Sequence, residues 1–490
     1  MPGPEHAALP RSNGYPAFAM SPLVRKPLAI AVPASLQRVL DSHEVFARAF
    51  LVGGCVRDEL LGRAGKDFDV EVYGTDYDTL ASALAPFGAT DVVGRSFGVI
   101  VLRLPDGSGV DFSLPRRDSH TGPGHRGFRV TPDPALDPAE AAARRDFTIN
   151  ALAWDPRTRE VLDFHGGIAD LSARLLRHTS DAFAEDPLRV LRGMQFAARF
   201  ELRVHAETLA LCRGIAHTYD ELARERVWGE WRKWAAHATR PSLGLTFLRE
   251  CGWLQHFPEL AALVGVEQEP EWHPEGDVWT HTLHCVDALA HDPVWRTEDE
   301  VTRIAWMFAA LLHDSGKPAC TTREVRDGVT RIVSPGHETV GGELAERFLE
   351  RISAPRELVE RVVPLVTQHM GYLQVGTDRA VRRLAKRLQP ETIDGLAAVI
   401  RADLGGRPGL SAEPPPAYHE MLRTAANLRV RDQAPRPILL GRHLLERGFA
   451  AGPSLGPVLH EAFEAQLDGA FEDLNGALAW VDARAQRERD

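Results

Sequence analysis

Acids and apolar residues alternate along Lys66-Asp67-Phe68-Asp69-Val70-Glu71-Val72. A period of two puts Asp67, Asp69 and Glu71 on one face of a strand and turns Phe68, Val70 and Val72 to a core. Asp67 and Asp69 then offer hard oxygen donors close enough together to grip one or two Mg²⁺ ions. Asp111, in Gly109-Val110-Asp111-Phe112, stands on a following strand and can supply a third carboxylate. Upstream, Gly53-Gly54 ends a short apolar strand and opens a helix, where backbone N–H groups can approach a polyanion; Arg57 follows one turn in, with Asp58 beside it. Alone, an Asp-x-Asp strand is an edge strand with solvated acids. Behind a Gly-Gly-x-x-Arg-Asp turn it reads as phosphate chemistry on a metal.

A second pair of residues can read a base. In Glu185-Asp186-Pro187-Leu188-Arg189-Val190-Leu191-Arg192, Pro187 suits a first helical turn and the two acids suit a helix start. Asp186 and Arg189 are three apart, which predicts that they project from one helix face and act together. Carboxylate only accepts hydrogen bonds and guanidinium only donates them. Cytosine and adenine each carry an exocyclic amine donor beside a ring-nitrogen acceptor, and guanine and uracil reverse that arrangement. Such a pair accepts C and A together, and a site left with unpaired buried groups rejects the wrong base by roughly 10⁴-fold or more.

A third constellation runs through the second half of the chain: His281, His313-Asp314 after the apolar run Ile304 to Leu312, then His337, His369 and Asp403. Imidazoles and carboxylates gathered in a helical bundle suit Mn²⁺, Ni²⁺, Co²⁺ or Fe²⁺, with an activated water for phosphoester hydrolysis. His273 and His284 lie nearby and are given no role.

Leu51 to Glu71 resembles the first signature of the nucleotidyltransferase superfamily, in particular the class II tRNA nucleotidyltransferases (CCA-adding enzymes) and their poly(A) polymerase relatives. Arg144-Arg145-Asp146-Phe147-Thr148-Ile149-Asn150-Ala151 is similar to the second signature, and Asp163 with Gly166-Gly167 and Asp170-Leu171 to the third. Glu185 to Arg192 is similar to the fourth and Glu225 to Glu230 to the fifth. The resemblance implies that Asp67, Asp69 and Asp111 are catalytic, with Mg²⁺ on Asp67 and Asp69. It implies nucleotide contacts from Gly53, Gly54, Arg57, Asp58, Arg145, Asp146, Asn150, Asp186, Arg189 and Arg192. The implied reaction adds C, C and A to the 3′ end of tRNA from CTP and ATP. Thr121 to Gly127 falls where such enzymes carry a loop for switching from C to A. The histidine-aspartate order resembles the HD phosphohydrolase superfamily. That resemblance implies one transition metal on His281, His313, Asp314 and Asp403, with His337 and His369 serving a second metal or the phosphate. The implied substrates are 2′,3′-cyclic or phosphorylated RNA ends. The rivals are a CC-adding, A-adding or poly(A) polymerase enzyme, and an HD phosphohydrolase whose head only senses nucleotides.

The elements that must position these residues are α+β: a small mixed α/β head, then an elongated all-α neck, body and tail. Seven prolines fall in the first 33 residues, which predicts a flexible extension. The head is expected over residues 34–165, a helical neck over 166–270, the HD region over 271–410 and a helical tail over 411–490, with strand signals almost absent after residue 166. Ile438 to Gly469 resembles the tail that grips tRNA in HD-bearing CCA-adding enzymes. Arg379, Arg382, Arg383, Lys386 and Arg387 repeat at helical spacing, as a solvated face or a contact to the tRNA backbone. Trp228, Trp231 and Trp234 read as helix packing. Across 490 residues the net charge is −11, which weighs against a purely electrostatic nucleic-acid binder but leaves room for local basic surfaces. No apolar run reaches membrane-spanning length and the five cysteines form no CxxC pair, so the expectation is a cytoplasmic protein with reduced thiols and no obligatory protein partner.

Overall fold

The computed structural model describes residues 22–487 except 64, 66, 95–97 and 121–127. Lys66, the Thr121 to Gly127 loop and most of the N-terminal extension therefore lie outside the described residues. The chain divides into two compact units, residues 1–189 with 203–221 and residues 190–202 with 222–490.

The first unit is built on strands β1 (Val24–Pro27), β2 (Ala49–Val52), β3 (Phe68–Val72), β4 (Ala89–Gly94), β5 (Val99–Arg103) and β6 (Gly109–Ser113). A separate hairpin follows, β7 (Arg116–His120) with β8 (Phe128–Pro132), and the sheet is completed by β9 (Ala153–Asp155) and β10 (Glu160–Asp163). The eight-stranded order is β1-β10-β9-β2-β3-β6-β5-β4, and within it only β3 and β6 run parallel. Val70 and Phe112 face a core that also buries Leu36 and Val39 of helix Ala34–Leu40 and Leu80 and Leu84 of helix Tyr77–Leu84. The β5–β6 hairpin forms around residues 105–108 as its Gly-rich turn predicts. Residues 24–27, expected within the irregular extension, are instead an edge strand paired to β10. All four are exposed, so the sequence carries no alternation there to read.

The second unit is helical. Its central helix, Glu300–Leu312, is buried on every side from Ile304 to Leu312, as expected of a helix that is apolar all round. Trp231 and Trp234 of helix Arg224–His237 pack edge-on 5.4 Å apart and lie 6.3 and 6.1 Å from the Phe308 ring. This is packing, as the three-residue spacing predicts. One hairpin interrupts the helices: Thr322–Arg326 pairs with Val329–Val333 around Asp327-Gly328, both at positive φ. Asp-Gly between β-prone runs is a hairpin signal that the reading of an all-helical body passed over.

The basic face on helix Asp378–Leu388 is not simply solvated. Arg379 and Arg383 pair with Asp468 at 2.9 and 2.7 Å, Arg382 with Glu472 at 3.1 Å, and Lys386 with Glu464. Acids from the end of helix Leu455–Leu467 and just beyond it cover the stripe. Among the described residues, no helix is long and apolar enough to cross a membrane.

Candidate active site and candidate metal centre

In the first unit, parallel pairing of β3 with β6 sets Asp69 directly opposite Asp111. Their carboxylates and that of Asp67 lie on the exposed face, while Phe68, Val70, Val110 and Phe112 are buried beneath them. The Asp69 carboxyl sits above its ordinary value: enclosure by the protein raises it, Arg145 opposes, and the like charges of Asp111 and Asp67 add to the rise. A sheet face carrying three mutually repelling carboxylates fits a hard divalent cation.

β2 pairs with β3 so that Val52 faces Asp69, which delivers Gly53-Gly54 beside the carboxylates. Gly53 holds φ +75°, and a Cβ there would stand 3.1 Å from Arg145 Nη1 and 3.9 Å from Asp69 Oδ2. Gly54 begins helix Gly54–Leu60. Arg57 is buried and donates to Asp58 Oδ1 at 2.8 Å and to Asn150 Oδ1 at 2.5 Å. Asn150 in turn donates to Asp146 Oδ1 at 2.9 Å. Two signatures far apart in sequence thus meet in one hydrogen-bonded chain. Gly53→Ala is expected to cost about 1–3 kcal/mol through backbone strain and to displace Arg145; urea unfolding and nucleotide titration by calorimetry read the two effects separately.

Glu71 departs from the strand reading. It shares the acidic face but is buried, accepting from Tyr73 Oη at 2.7 Å and from Arg144 Nη2 at 3.3 Å, with Arg145 Nη2 at 4.0 Å. Glu71 anchors the two arginines of the second signature, a role the sequence reading missed. The signal was its place as third acid in the alternation. Asp186 also differs from the expected helical pair. Its backbone is extended, and its side chain accepts from Leu188 N–H at 3.1 Å, capping helix Leu188–Phe200 from outside. Arg189 donates to Ala182 O at 2.6 Å and to Arg144 O at 2.7 Å, which fixes the plane of its guanidinium. Arg192 belongs to the second unit, where its guanidinium lies 5.2 Å over the Phe196 ring.

The second unit gathers all six residues of the histidine-aspartate order. His313 caps the C-terminus of the buried helix Glu300–Leu312, and His369 caps helix Arg356–Gln368. His337 begins helix His337–Arg351, behind Gly336 at φ +74°. His281 and Asp403 lie inside helices Val278–His291 and Ile393–Gly405. His313, His337 and His369 each set Nδ1 against the carbonyl three residues earlier: Ala310 at 2.9 Å, Ser334 at 2.7 Å and Val366 at 2.7 Å. Only an N–H can face a carbonyl, so in the neutral ring Nε2 carries the lone pair. Burial first, then the charge of His313, pushes His369 down to about 4 and keeps it neutral.

Those Nε2 atoms converge on Asp314. Its Oδ2 lies 3.2 Å from His313 Nε2 and 3.7 Å from His281 Nε2; its Oδ1 lies 3.4 Å from His337 Nε2 and 3.9 Å from His369 Nε2. His337 Nε2 and His369 Nε2 stand 3.2 Å apart, a contact that requires a proton or a cation between them. Asp314 thus faces two groups at once, His281 with His313 and His337 with His369. The donor set fits a metal centre. Around it stand residues the sequence reading did not assign. Glu275 holds His281 Nδ1 at 2.7 Å and His273 Nδ1 at 2.9 Å, as a carboxylate behind a metal-binding imidazole does. Lys317 reaches Asp314 Oδ2 at 2.7 Å, and Arg407 reaches Asp403 Oδ1 at 2.9 Å. Both lie one helical turn after the acid they pair with, a spacing visible in the sequence. The centre opens on a cavity of about 470 Å³ bordered by Gln268, Trp272, Tyr372 and Arg407.

Comparison with known proteins gives concordant findings. A family model for the poly A polymerase head domain matches residues 49–177. A multifunctional CCA protein of Halorhodospira halophila is 37% identical over 428 residues, covering 84% of this chain and 94% of the relative. One from Xanthomonas campestris is 36% identical over 429 residues, covering 85% and 97%. Among solved structures, the Bacillus stearothermophilus CCA-adding enzyme in complex with CTP matches with a TM-score of 0.63 at 20% identity, covering 94% of this chain and 100% of that one. The Thermotoga maritima CCA-adding enzyme complexed with tRNA matches at 0.55 and 19%, covering 89% and 91%. At such identities the structural likeness speaks for the fold.

Proposed function

This chain belongs to the family of multifunctional CCA proteins, nucleotidyltransferases with a poly(A) polymerase-type head, and we propose that it adds C, C and A to the 3′ end of tRNA from CTP and ATP, releasing pyrophosphate. The observation that carries this reading is the register of Asp69 with Asp111 on one sheet face beside Gly53, Arg57 and Arg145. Asp67 and Asp69 would hold Mg²⁺, which would supply charge neutralisation at the transferred phosphate and a lowered pKa for the attacking 3′-hydroxyl. Asp111 completes the acidic face. Gly53 and Gly54 let the backbone close on the triphosphate, and Arg57 and Arg145 offset its charge. Asp58, Asp146 and Asn150 fix Arg57 and line the ribose side. Asp186 accepts from, and Arg189 donates to, the pairing edge of C or A, with Arg192 following on the same helix.

The second unit supports a further reaction, a phosphohydrolase acting on 2′,3′-cyclic or phosphorylated RNA ends. His281, His313, Asp314 and Asp403 would hold one transition metal, Mn²⁺, Ni²⁺, Co²⁺ or Fe²⁺. His337 and His369 would serve a second ion or the phosphate, and Lys317 and Arg407 would steady the two acids. In this proposal residues 34–165 form the head, 166–270 the neck, 271–410 the HD region and 411–490 the tail. tRNA is the partner, as it is for the Thermotoga maritima relative.

The first reaction is tested by offering tRNA that ends at the discriminator base with CTP alone, ATP alone, or both, and sequencing the 3′ ends. The expected products are CC with CTP alone and CCA with both. Only C with both nucleotides makes the protein a CC-adding enzyme, and only A makes it an A-adding enzyme or poly(A) polymerase. No addition leaves an HD phosphohydrolase with a sensing head.

A further inference from the structure

Cys285 lies one helical turn after His281 on helix Val278–His291, and both are fully buried. Its Sγ is 3.2 Å from His281 Nε2, the atom that also faces Asp403 Oδ1 at 3.1 Å. One donor atom from each of His281, Cys285, His313 and Asp403 can be chosen so that all four lie within 4.8 Å of one another. Four donors sharing one ion need such a spacing. With nitrogen or oxygen about 2.0–2.2 Å and sulfur about 2.3 Å from a tetrahedral metal, neighbouring donors fall roughly 3.3–3.8 Å apart.

Two further observations point the same way. Gly406 leaves room for the thiol, since a Cβ there would stand 2.4 Å from Cys285 Sγ and 3.1 Å from His281 Cε1. His313 Nε2 is buried without a partner in hydrogen-bond geometry, although it approaches Asp314 Oδ2 to 3.2 Å. A buried imidazole nitrogen in that condition is costly unless a ligand takes it up.

We propose that Cys285 Sγ is a ligand of the metal held by His281, His313 and Asp403, so that this centre carries a thiolate and selects thiophilic ions, zinc and cobalt(II), over manganese. The inference rests on the reading of those residues as a metal centre. As the sulfur–metal bond forms, the thiol proton passes to water, and no electron is transferred. The other described cysteines stand outside the four-donor group.

The test uses the full chain, stripped of metal and reloaded with Co²⁺ or Zn²⁺. With Co²⁺, the wild-type protein should show visible d–d bands together with a near-ultraviolet sulfur-to-cobalt charge-transfer band. Cys285→Ser should keep the d–d bands and lose the charge-transfer band. In competition titrations the substitution should lower zinc affinity by at least the roughly 10–100-fold that loss of an outer-shell partner costs, while moving manganese affinity less. X-ray absorption on the zinc-loaded wild-type protein should show one sulfur scatterer at about 2.3 Å, a measurement that holds even if the variant does not fold. Cobalt bound with d–d bands but no sulfur band, or zinc bound with no sulfur shell, overturns the thiolate ligand and leaves the metal centre standing. A sulfur band that survives Cys285→Ser assigns it to another cysteine and overturns the proposal. Failure to bind either ion overturns the metal centre and this inference together.

Discussion

Asp69→Asn is expected to reduce incorporation of C and A at a tRNA 3′ end by roughly 10³-fold or more. The amide keeps the volume of the side chain but removes a charged metal donor, and metal stabilisation of phosphoryl transfer is worth several kcal/mol at about 1.4 kcal/mol per factor of ten. The same substitution should not destabilise the metal-free protein. In the fold, enclosure and the charges of Asp111 and Asp67 outweigh Arg145 and hold the Asp69 carboxyl above its ordinary value. The folded chain therefore binds that proton more tightly than the unfolded chain, and stability falls as pH rises between the two pKa values. At pH 7 the full cost is present, and Asn does not carry it. Asp69→Asn should thus melt no lower than the wild type at pH 7, and any gain should vanish below the unfolded carboxylate pKa of about 3.9. A variant that is inactive and melts well below the wild type would assign Asp69 to the fold and not to the reaction. Primer-extension sequencing and scanning calorimetry in chelator provide the two readings.

Asp314→Asn should do the opposite to stability. Asp314 is almost fully buried, and despite that burial His313, Lys317 and His337 hold its carboxyl well below the usual carboxylate range. A carboxylate whose folded pKa is depressed contributes stability above its unfolded pKa and loses it as pH falls. Removing one partner from a buried charge cluster costs about 3–5 kcal/mol, since among the described residues Lys317 keeps Gln268 Oε1 at 2.7 Å. Hydrolysis of a 2′,3′-cyclic nucleotide should drop to background and the bound transition metal should be lost, while C, C and A addition stays at the wild-type level. Metal content by mass spectrometry, product chromatography and thermal melting follow the three effects. Retained hydrolysis with retained metal would remove Asp314 from the centre.

The residues of both candidate sites could be picked out from short runs of sequence. Alternation over Asp67 to Val72 put carboxylates on one face because successive side chains of a strand point to opposite sides, and the structure has Asp67 and Asp69 exposed above buried Phe68 and Val70. The apolar run Ile304 to Leu312 implied a buried helix delivering His313-Asp314 into the interior, and that is where they lie. Gly53 could be recognised as a close approach, although not what approached it, because Arg145 comes from a distant segment.

Partnership was decided elsewhere. Periodicity says which way a side chain points, but not what it meets there. Glu71 shares the face of Asp69, yet the paired sheet buries it against Tyr73 and Arg144. The stripe from Arg379 to Lys386 reads as solvated until the acids around Glu464 and Asp468 are packed over it. Edge strand β1 exists because β10 presents open backbone groups to it, which the all-exposed residues 24–27 do not announce. Cys285 read in the sequence only as one reduced thiol among five, and the helix sets it 3.2 Å from His281 Nε2. The approach of Asp403 and the bare backbone at Gly406 bring it into the cluster proposed to hold a metal. The sequence by itself determined residue chemistry, local faces and the order of the motifs, which depend on neighbours a few positions apart. The tertiary structure decided register, burial and which charges face one another, because these follow from long-range packing that no local period encodes.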